Sequence, residues 1–490
     1  MSYFHFLGHP MNLKRCLSFG VVCIITFFLA LVPTSFFGVD PLTNAPLFTL
    51  TQQRVIAIFV FTALMWILEV IPTWTTSVVA IVAILLTTSN KGIGFLIAKE
   101  NVGALTNYKD VMAAFADPVI MLFLGGFVLA FAATKVGLDV QLAKIMLKPF
   151  GTNPKFVLLG VLLVIGVFSM FMSNTATAAM MLTFLTPVLA TLPKDGGGRI
   201  SLALAIPIAA NLGGMGTPIG TPPNAIALGA LQDAGYGITF LGWALRMIPF
   251  VIVMLVFAWV LLMKLYPFKA KSIELKIEGE PVKVTPFQKY VVWFTFALTI
   301  VLWMGEQWIG INSNIVAMIP FAVFSATGIL KARHLEQINW AVLWMVAGGF
   351  ALGMAMNGTG LAENAIKSIP FGSLNPIVIL VISGLVCFAL SNFISNTATA
   401  ALLIPILSVV CKGMGDSLGI IGGTSTVLIG IAVSASCSMS LPISTPPNAI
   451  AYSTGLINQK DMAKVGLLAG VLSLIIGYVV LIAIGKMHMF

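Results

Sequence analysis

Charge is what this chain of 490 residues has least of: 9% of its residues are charged and 59% are hydrophobic. Mean hydropathy is +1.04, whereas a soluble domain carries about 25% charged residues. That scarcity excludes an ordinary water-soluble globule. Histidine is almost as rare, and His5, His9, His334 and His488 fall at the termini or in a loop, which leaves no metal or catalytic centre built on imidazole. The five cysteines (Cys16, Cys23, Cys387, Cys411, Cys437) sit mostly in apolar stretches without metal-like spacing. They read as reduced packing residues. No nucleophile–base pairing and no phosphate-binding Gly-Lys-Ser/Thr loop is present, so neither an enzyme nor ATP-driven transport is expected.

What the chain has instead is long apolar runs. Residues 17–37, 53–72, 241–263, 288–304 and 465–485 approach the roughly 20 residues that cross a bilayer. The formal charge of +10 does not point to nucleic acid. Its lysines and arginines lie in short loops, at Lys14 and Arg15, Lys144 and Lys148, Lys194 and Arg199, six lysines between 264 and 289, and Lys331 and Arg333. That distribution is the positive-inside pattern of a multi-pass protein of the cell inner (plasma) membrane. Residues 14–35 could be a secretory signal, but no small-x-small site follows, so a first transmembrane helix is expected.

The chain is also internally duplicated. Ser173-Asn174-Thr175-Ala176-Thr177-Ala178-Ala179 recurs as Ser395-Asn396-Thr397-Ala398-Thr399-Ala400-Ala401. Thr221-Pro222-Pro223-Asn224-Ala225-Ile226-Ala227 recurs as Thr445-Pro446-Pro447-Asn448-Ala449-Ile450-Ala451. Gly125-Gly126-Phe127 matches Gly348-Gly349-Phe350, Gly137-Leu138 matches Gly360-Leu361, and Pro149-Phe150-Gly151 echoes Pro370-Phe371-Gly372. The separations of the aligned pairs stay within a few residues of one another over about a hundred positions, which marks a repeated unit rather than chance.

Topology predicts that the copies are inverted. Segments 155–172 and 176–193 flank Ser173-Asn174-Thr175 with basic residues at both outer ends, as a re-entrant hairpin (about 155–193) open to the cytoplasm would have. Five crossings are expected before its twin at about 375–411: 200–235, 240–265, 287–304, 312–330 and 339–366. An odd number turns the second hairpin to face outside. Lysines at 91, 99 and 109 fall on the predicted outer side, a local exception to the overall bias. The expected architecture is an all-α polytopic membrane protein with about 11 transmembrane helices plus two re-entrant hairpins. Its parts are an N-terminal segment and first helix (1–52), repeat 1 (53–266), a cytoplasmic linker (267–286) and repeat 2 (287–490).

The duplicated motifs have the chemistry of a polar site at mid-membrane. Proline lacks an N–H and pushes its predecessor out of the helix, so Pro222-Pro223 and Pro446-Pro447 should split 200–235 and 424–457 into half-helices. New half-helices starting near Thr175, Asn224, Thr397 and Asn448 would aim four positive dipole ends at one cradle for an anion. Asn and Thr supply donors and acceptors, but neither copy holds Arg, Lys or His. A dianion held this way is under-compensated, which implies co-bound cations. Ser169-x-x-x-Ser173 and Ser391-x-x-x-Ser395, the Asn side-chain oxygens and the free carbonyls near Gly220 and Ser444 are hard ligands suited to Na⁺.

In these paired Ser-Asn-Thr and Thr-Pro-Pro-Asn motifs the sequence resembles the divalent anion:sodium symporter family, the INDY-type dicarboxylate transporters, over roughly residues 50–486. The resemblance implies an elevator-type inverted-repeat transporter, usually a homodimer embedded among membrane lipids. It also implies sodium-coupled symport of C4-dicarboxylates such as succinate, malate or fumarate. A sodium-independent dicarboxylate or citrate exchanger, or a sulfate carrier, on the same fold is the alternative. By motif match Asn174, Thr175, Asn396 and Thr397 would contact substrate, with Thr221, Pro222, Thr445 and Pro446 beside them. Ser169, Ser173, Asn174 and Gly220 would form one sodium site, and Ser391, Asn396 and Ser444 the other.

Four further features have local readings. Gly125-Gly126 and Gly348-Gly349 suit close helix packing. Glu69 and Glu306 lie near predicted helix ends, which favours interfacial or scaffold roles over a proton relay. Asp117, ahead of Pro118, is expected to cap or stabilise a helix break.

Overall fold

The computed structural model describes residues 4–6, 9–11, 13–39, 44–99, 101–193, 196–273, 284–368 and 373–487. Lys194, Pro370-Phe371-Gly372, His488 and residues 274–283 of the expected 267–286 linker lie outside the described residues, as do the side chains of His5 and His9. The described chain is helical almost throughout. One addition to the all-α expectation is a short antiparallel pair, Phe4–Phe6 with His9–Met11. Among the described residues nine helices are long and apolar enough to cross a membrane. They include Pro154–Phe171, one arm of a helical hairpin, and five shorter apolar helices accompany them. The protein is a multi-pass membrane protein.

Its contacts divide the chain into two compact units, the first comprising residues 1–120, 340–379 and 397–420. Here Leu50–Leu68 packs between Leu13–Leu31 and Thr73–Thr87, and Trp340–Gly358 lies along Thr73–Thr87. The last contact depends on a missing side chain: a Cβ on Gly348 would stand 2.4 Å from Ser77 Cβ. Gln52 ties distant segments together, donating to Thr359 O (2.9 Å) and accepting from Asn364 Nδ2 (2.9 Å). Glu69 ends the Leu50–Leu68 helix in the left-handed region (φ 45°, ψ 42°), which agrees with its helix-end reading. Asp117 accepts from Val119 N at 2.8 Å, as a cap of Pro118–Lys135 should.

The second unit comprises residues 121–339, 380–396 and 421–490. At its centre stands Gly198–Gly214, buried over nearly its whole length and packed on Pro154–Phe171, Asn174–Thr191 and Phe240–Leu265. A Cβ on Gly213 would meet Gly166 backbone at 2.4 Å, so backbone lies against backbone there. Gly125 likewise faces the Ala317 carbonyl, so the close packing expected of the glycine pairs is met by Gly125 and Gly348, the first glycine of each. The double prolines divide helices as expected: Gly198–Gly214 stops and Pro222–Asp233 begins, and Thr424–Ser436 stops and Pro446–Ser453 begins. The new helices start at Pro222 and Pro446, two residues earlier than the asparagines, because proline's missing N–H costs nothing at a first helical turn. The repeats also interlock. Pro222–Asp233 packs on Thr424–Ser436, and Pro446–Ser453 packs on Gly198–Gly214.

One expected crossing is shorter than predicted. The 339–366 segment is two helices, Trp340–Gly358 and Leu361–Ser368, separated by Gly360 at φ +71°. A left-handed residue at that point ends the first helix.

Candidate functional site

The first Ser-Asn-Thr motif opens a helix. Ser173 is the N-cap of Asn174–Thr191, and its hydroxyl accepts from Ala176 N at 3.2 Å. One turn earlier Ser169 is fully buried and reaches back across the tip, 2.7 Å from both Asn174 Oδ1 and Ala210 O. The end of the Asn174 amide also lies 3.2 Å from Ala210 O and 3.1 Å from Gly220 O. With the Asn174 oxygen turned inward, this cluster brings four oxygens together with a single hydroxyl proton among them. Two arrangements satisfy the cluster: the amide nitrogen turns inward and donates to Ser169 Oγ and Gly220 O while the Ser169 hydroxyl donates to Ala210 O, or a cation sits among the oxygens.

Two glycines keep the cluster open. A Cβ on Gly214 would lie 2.5 Å from Asn174 Oδ1, and one on Gly220 would lie 2.3 Å from Gly214 O and 2.9 Å from Ser169 O. Any other residue would fill the cradle.

The second motif repeats the pattern with changes. Ser391 Oγ is 2.7 Å from Asn396 Oδ1 and 3.2 Å from Ala435 O. Ser444 stands where the first copy has Gly220, and its hydroxyl donates to Asn392 O (2.8 Å) while accepting from Leu441 N (3.0 Å). The motif pair Ser169–Asn174 is therefore joined to Gly220, whereas Ser444 is tied to Asn392. Ser173 serves its helix as a cap. Thr175 is exposed and Thr397 is buried, and Thr397 falls in the first compact unit.

The Thr-Pro-Pro-Asn motifs brace the helix breaks. Asn224 Nδ2 donates to Gly214 O (3.0 Å) and Thr217 O (2.8 Å), and Asn448 Nδ2 donates to Met439 O and Leu441 O (both 2.8 Å). Each asparagine thus satisfies carbonyls that the break strips of helical partners. Thr221 and Thr445 are both nearly buried. Thr445 Oγ1 caps its helix by accepting from Asn448 N (3.3 Å), whereas Thr221 makes no side-chain cap. Pro222 is half-buried and Pro446 exposed.

Three contributors have no counterpart in the motif reading. Asn211 donates to Thr445 Oγ1 and Asn448 Oδ1 across the repeats, Asn392 anchors Ser444 and Ser440, and Ala210 offers only a carbonyl. None lies in a duplicated phrase. Asn392, a polar residue next to Ser391 just past the end of an apolar helix, carried the one available signal. None of the motif residues is charged, so the arrangement offers neutral dipoles to an anion and oxygens to a hard cation. It supplies no nucleophile or general base.

Comparison with known proteins agrees. A family model described as citrate transporter matches residues 63–422. A sodium-dependent dicarboxylate transporter of Staphylococcus saprophyticus is 30% identical over 461 residues, covering 86% of this chain and 84% of its own. An "uncharacterized transporter" of Haemophilus influenzae is 30% identical over 482 residues, covering 93% and 95%. Among solved structures, the YdaH transporter of Alcanivorax borkumensis shares the fold with a TM-score of 0.53 at 14% identity, over 96% of this chain and 98% of that one. A match across most of the chain joins the paired motifs in one conclusion: the chain belongs to the citrate-transporter family and, within it, to the divalent anion:sodium symporters, the INDY-type carriers.

Proposed function

We propose that this protein is a secondary active transporter that couples Na⁺ to the symport of small divalent anions, C4-dicarboxylates such as succinate, malate and fumarate foremost. The observation that carries the proposal is the polar cluster at the first tip, where Ser169 Oγ, the Asn174 side-chain amide, Ala210 O and Gly220 O converge. Hard cations of this kind take oxygen ligands at about 2.4 Å. With its oxygen turned inward, Asn174 stands 3.1 Å from Gly220 O and 3.2 Å from Ala210 O, close enough for one cation to be shared among them. Ser391 and Asn396 with Ala435 O supply the second sodium site, and Ser173 and Ser444 hold the two tips in shape.

Within the second unit the substrate then meets Asn174, Thr175 and Asn396, with Thr221, Pro222, Thr445 and Pro446 forming the floor. Sodium organises the tips and the dianion follows, so each must raise the other's affinity by the same factor. If more cations than anionic charges cross, each net charge gains about 2.3 kcal/mol per 100 mV. The hairpins enter from opposite faces, the first from the cytoplasm. The loaded domain slides as an elevator within a homodimer. The names of the relatives support sodium and dicarboxylate as the transported pair.

Uptake of labelled succinate into proteoliposomes under Na⁺ or K⁺ gradients tests this reading, with citrate and sulfate as competitors. Uptake that ignores Na⁺ but needs internal dicarboxylate would replace symport with exchange.

A further inference from the structure

Within the second unit a cleft of about 490 Å³ runs from the turn at residues 331–339 to the first hairpin tip. Its polar lining is Thr134, Lys135, Ser173, His334, Gln337 and Asn339, with Phe127 and Phe131 on the apolar side. The Lys135 ammonium is pinned in place: Nζ donates to Ile329 O at 2.5 Å and stands 5.7 Å from the Phe131 ring centre. Lys331 and Arg333, both positive, lie close enough to act on it. His334 is 8% exposed, accepts from Lys331 N at 3.0 Å and packs 5.1 Å from Phe131.

Lys135 in the lining and Lys331 and Arg333 in the turn outnumber the two acids nearby, Glu336 in the same turn and Asp139 bound to Thr134, and leave a net positive potential that an anion can answer. The feature is also absent from the other repeat, since Gly358 stands where the 223-residue offset places the partner of Lys135. The motif site is neutral and duplicated, whereas this cleft is cationic and single. It lies on the side of the Lys331/Arg333 turn, the cytoplasmic side in the topology proposed above.

We propose that this cleft is a second anion subsite, in which Lys135 holds one end of a small dianionic oxyanion between the cytoplasmic turn and the Ser173 tip. Its chemical class is the dicarboxylate or sulfate type. The idea deepens the transport reading, because a dianion leaving the neutral site toward the cytoplasm meets Lys135 on its way. A cationic cleft raises the local concentration of its counter-ion by roughly tenfold or more. A single lysine contact, exposed to water on one side, remains weak enough to release it.

The test uses the full chain in detergent with Cys16→Ser and Cys23→Ser, since the remaining cysteines, Cys387, Cys411 and Cys437, are buried. Gln337→Cys places a thiol on the cleft wall. A sulfonate-bearing methanethiosulfonate should label it about tenfold faster than the trimethylammonium reagent, in line with a focusing cleft. Succinate or sulfate should slow that labelling at an ionic strength matched with chloride. Lys135→Gln should abolish both the preference and the protection, and Lys135→Arg should keep them. Equal labelling by the two reagents, no protection by either dianion, or protection that survives Lys135→Gln would overturn the subsite. Should Lys135→Gln not fold, the two-reagent ratio and the protection in the lysine-containing protein decide. Sodium-dependent uptake without protection would reject the cleft and keep the carrier, whereas protection without uptake would do the reverse.

Discussion

Asn211 of the first repeat donates to Thr445 of the second, Nδ2 to Oγ1 at 3.1 Å, and the same amide lies 3.3 Å from Asn448 Oδ1. The link joins the end of the central helix to the start of the opposite half-helix. Both partners are nearly fully buried. It is not reciprocated: Ser436, which follows Ala435 as Asn211 follows Ala210, is too short to reach across, and its hydroxyl finds no partner among the described residues. Interhelical hydrogen bonds in membrane proteins average about 0.6 kcal/mol each, so Asn211→Ala, losing two, should cost about 1 kcal/mol. Ser436→Ala should stay within about 0.5 kcal/mol. Thermal unfolding of the purified protein measures both. Equal losses would mean that the asymmetry has no energetic content.

Glu306 offers a second structural prediction. Its Oε2 accepts from Phe240 N at 3.0 Å and its Oε1 from Ser313 N at 3.2 Å, so one carboxylate caps two helix starts. Phe240 stacks on Trp303 at 4.8 Å, which locks the same corner. Losing a cap costs about 0.5–2 kcal/mol, and Glu306→Ala removes two, so a loss of about 2 kcal/mol is expected. Glu306→Gln keeps an acceptor for one of them and should lose less. Neither variant should alter the pH profile of sodium-driven uptake. A flattened profile in Glu306→Gln would restore the proton-relay role that this capping geometry argues against.

How much of this could be read from the sequence depends on duplication. Ser169, Asn174, Ser391 and Asn396 were visible because two copies agreed, and the helix breaks followed from paired prolines. The remaining contacts come from positions where the copies differ. Asn211 falls opposite Ala435 at the spacing of the Thr-Pro-Pro-Asn motifs and Asn392 opposite Met170 at the spacing of the Ser-Asn-Thr motifs, so comparison of the repeats discards both. Gly220 and Ser444 show the same limit in reverse. Equivalent places were expected to play equivalent roles, yet the glycine leaves a carbonyl beside Asn174 while the serine turns its hydroxyl to Asn392. The asparagines of Thr-Pro-Pro-Asn were legible as polar but not as braces, because which carbonyls a break exposes depends on the path of the turn. A crossing ended early for a similar reason: Gly360 at φ +71° is a backbone event inside an otherwise apolar stretch.

At the first tip the two ways of satisfying Asn174 make different predictions. If a cation sits among the oxygens, the protein should melt higher in NaCl than in choline chloride, by about 2.7 kcal/mol at a hundredfold excess over Kd. Asn174→Ala should abolish that gain and transport with it, as should Asn396→Ala for transport. Asn174→Asp, which keeps an oxygen but cannot donate, should retain the sodium response. Gly220→Ala should lose it, because the new methyl would stand 2.3 Å from Gly214 O, while Gly237→Ala, with open space around it, should not. A sodium response that survives both Asn174→Ala and Gly220→Ala would move the cation elsewhere.

His334 gives the protein a pH dependence that can be worked out in sign. Burial holds its pKa below the ordinary 6.5, and the charges of Lys135, Arg333 and Lys331 press in the same direction against a smaller upward pull from Ile329 O. The folded protein therefore favours neutral imidazole, whose Nδ1 accepts from Lys331 N. Above pH 6.5 both states are neutral and this stabilisation is complete. As pH falls below 6.5 the unfolded chain takes up a proton that the folded one resists, so stability drops until the folded state also titrates. The unfolding temperature of the protein should thus fall between pH 7 and pH 5 more steeply than that of His334→Gln, which has no proton to bind. Parallel curves for the two proteins would show that His334 is not held neutral by the cations around it.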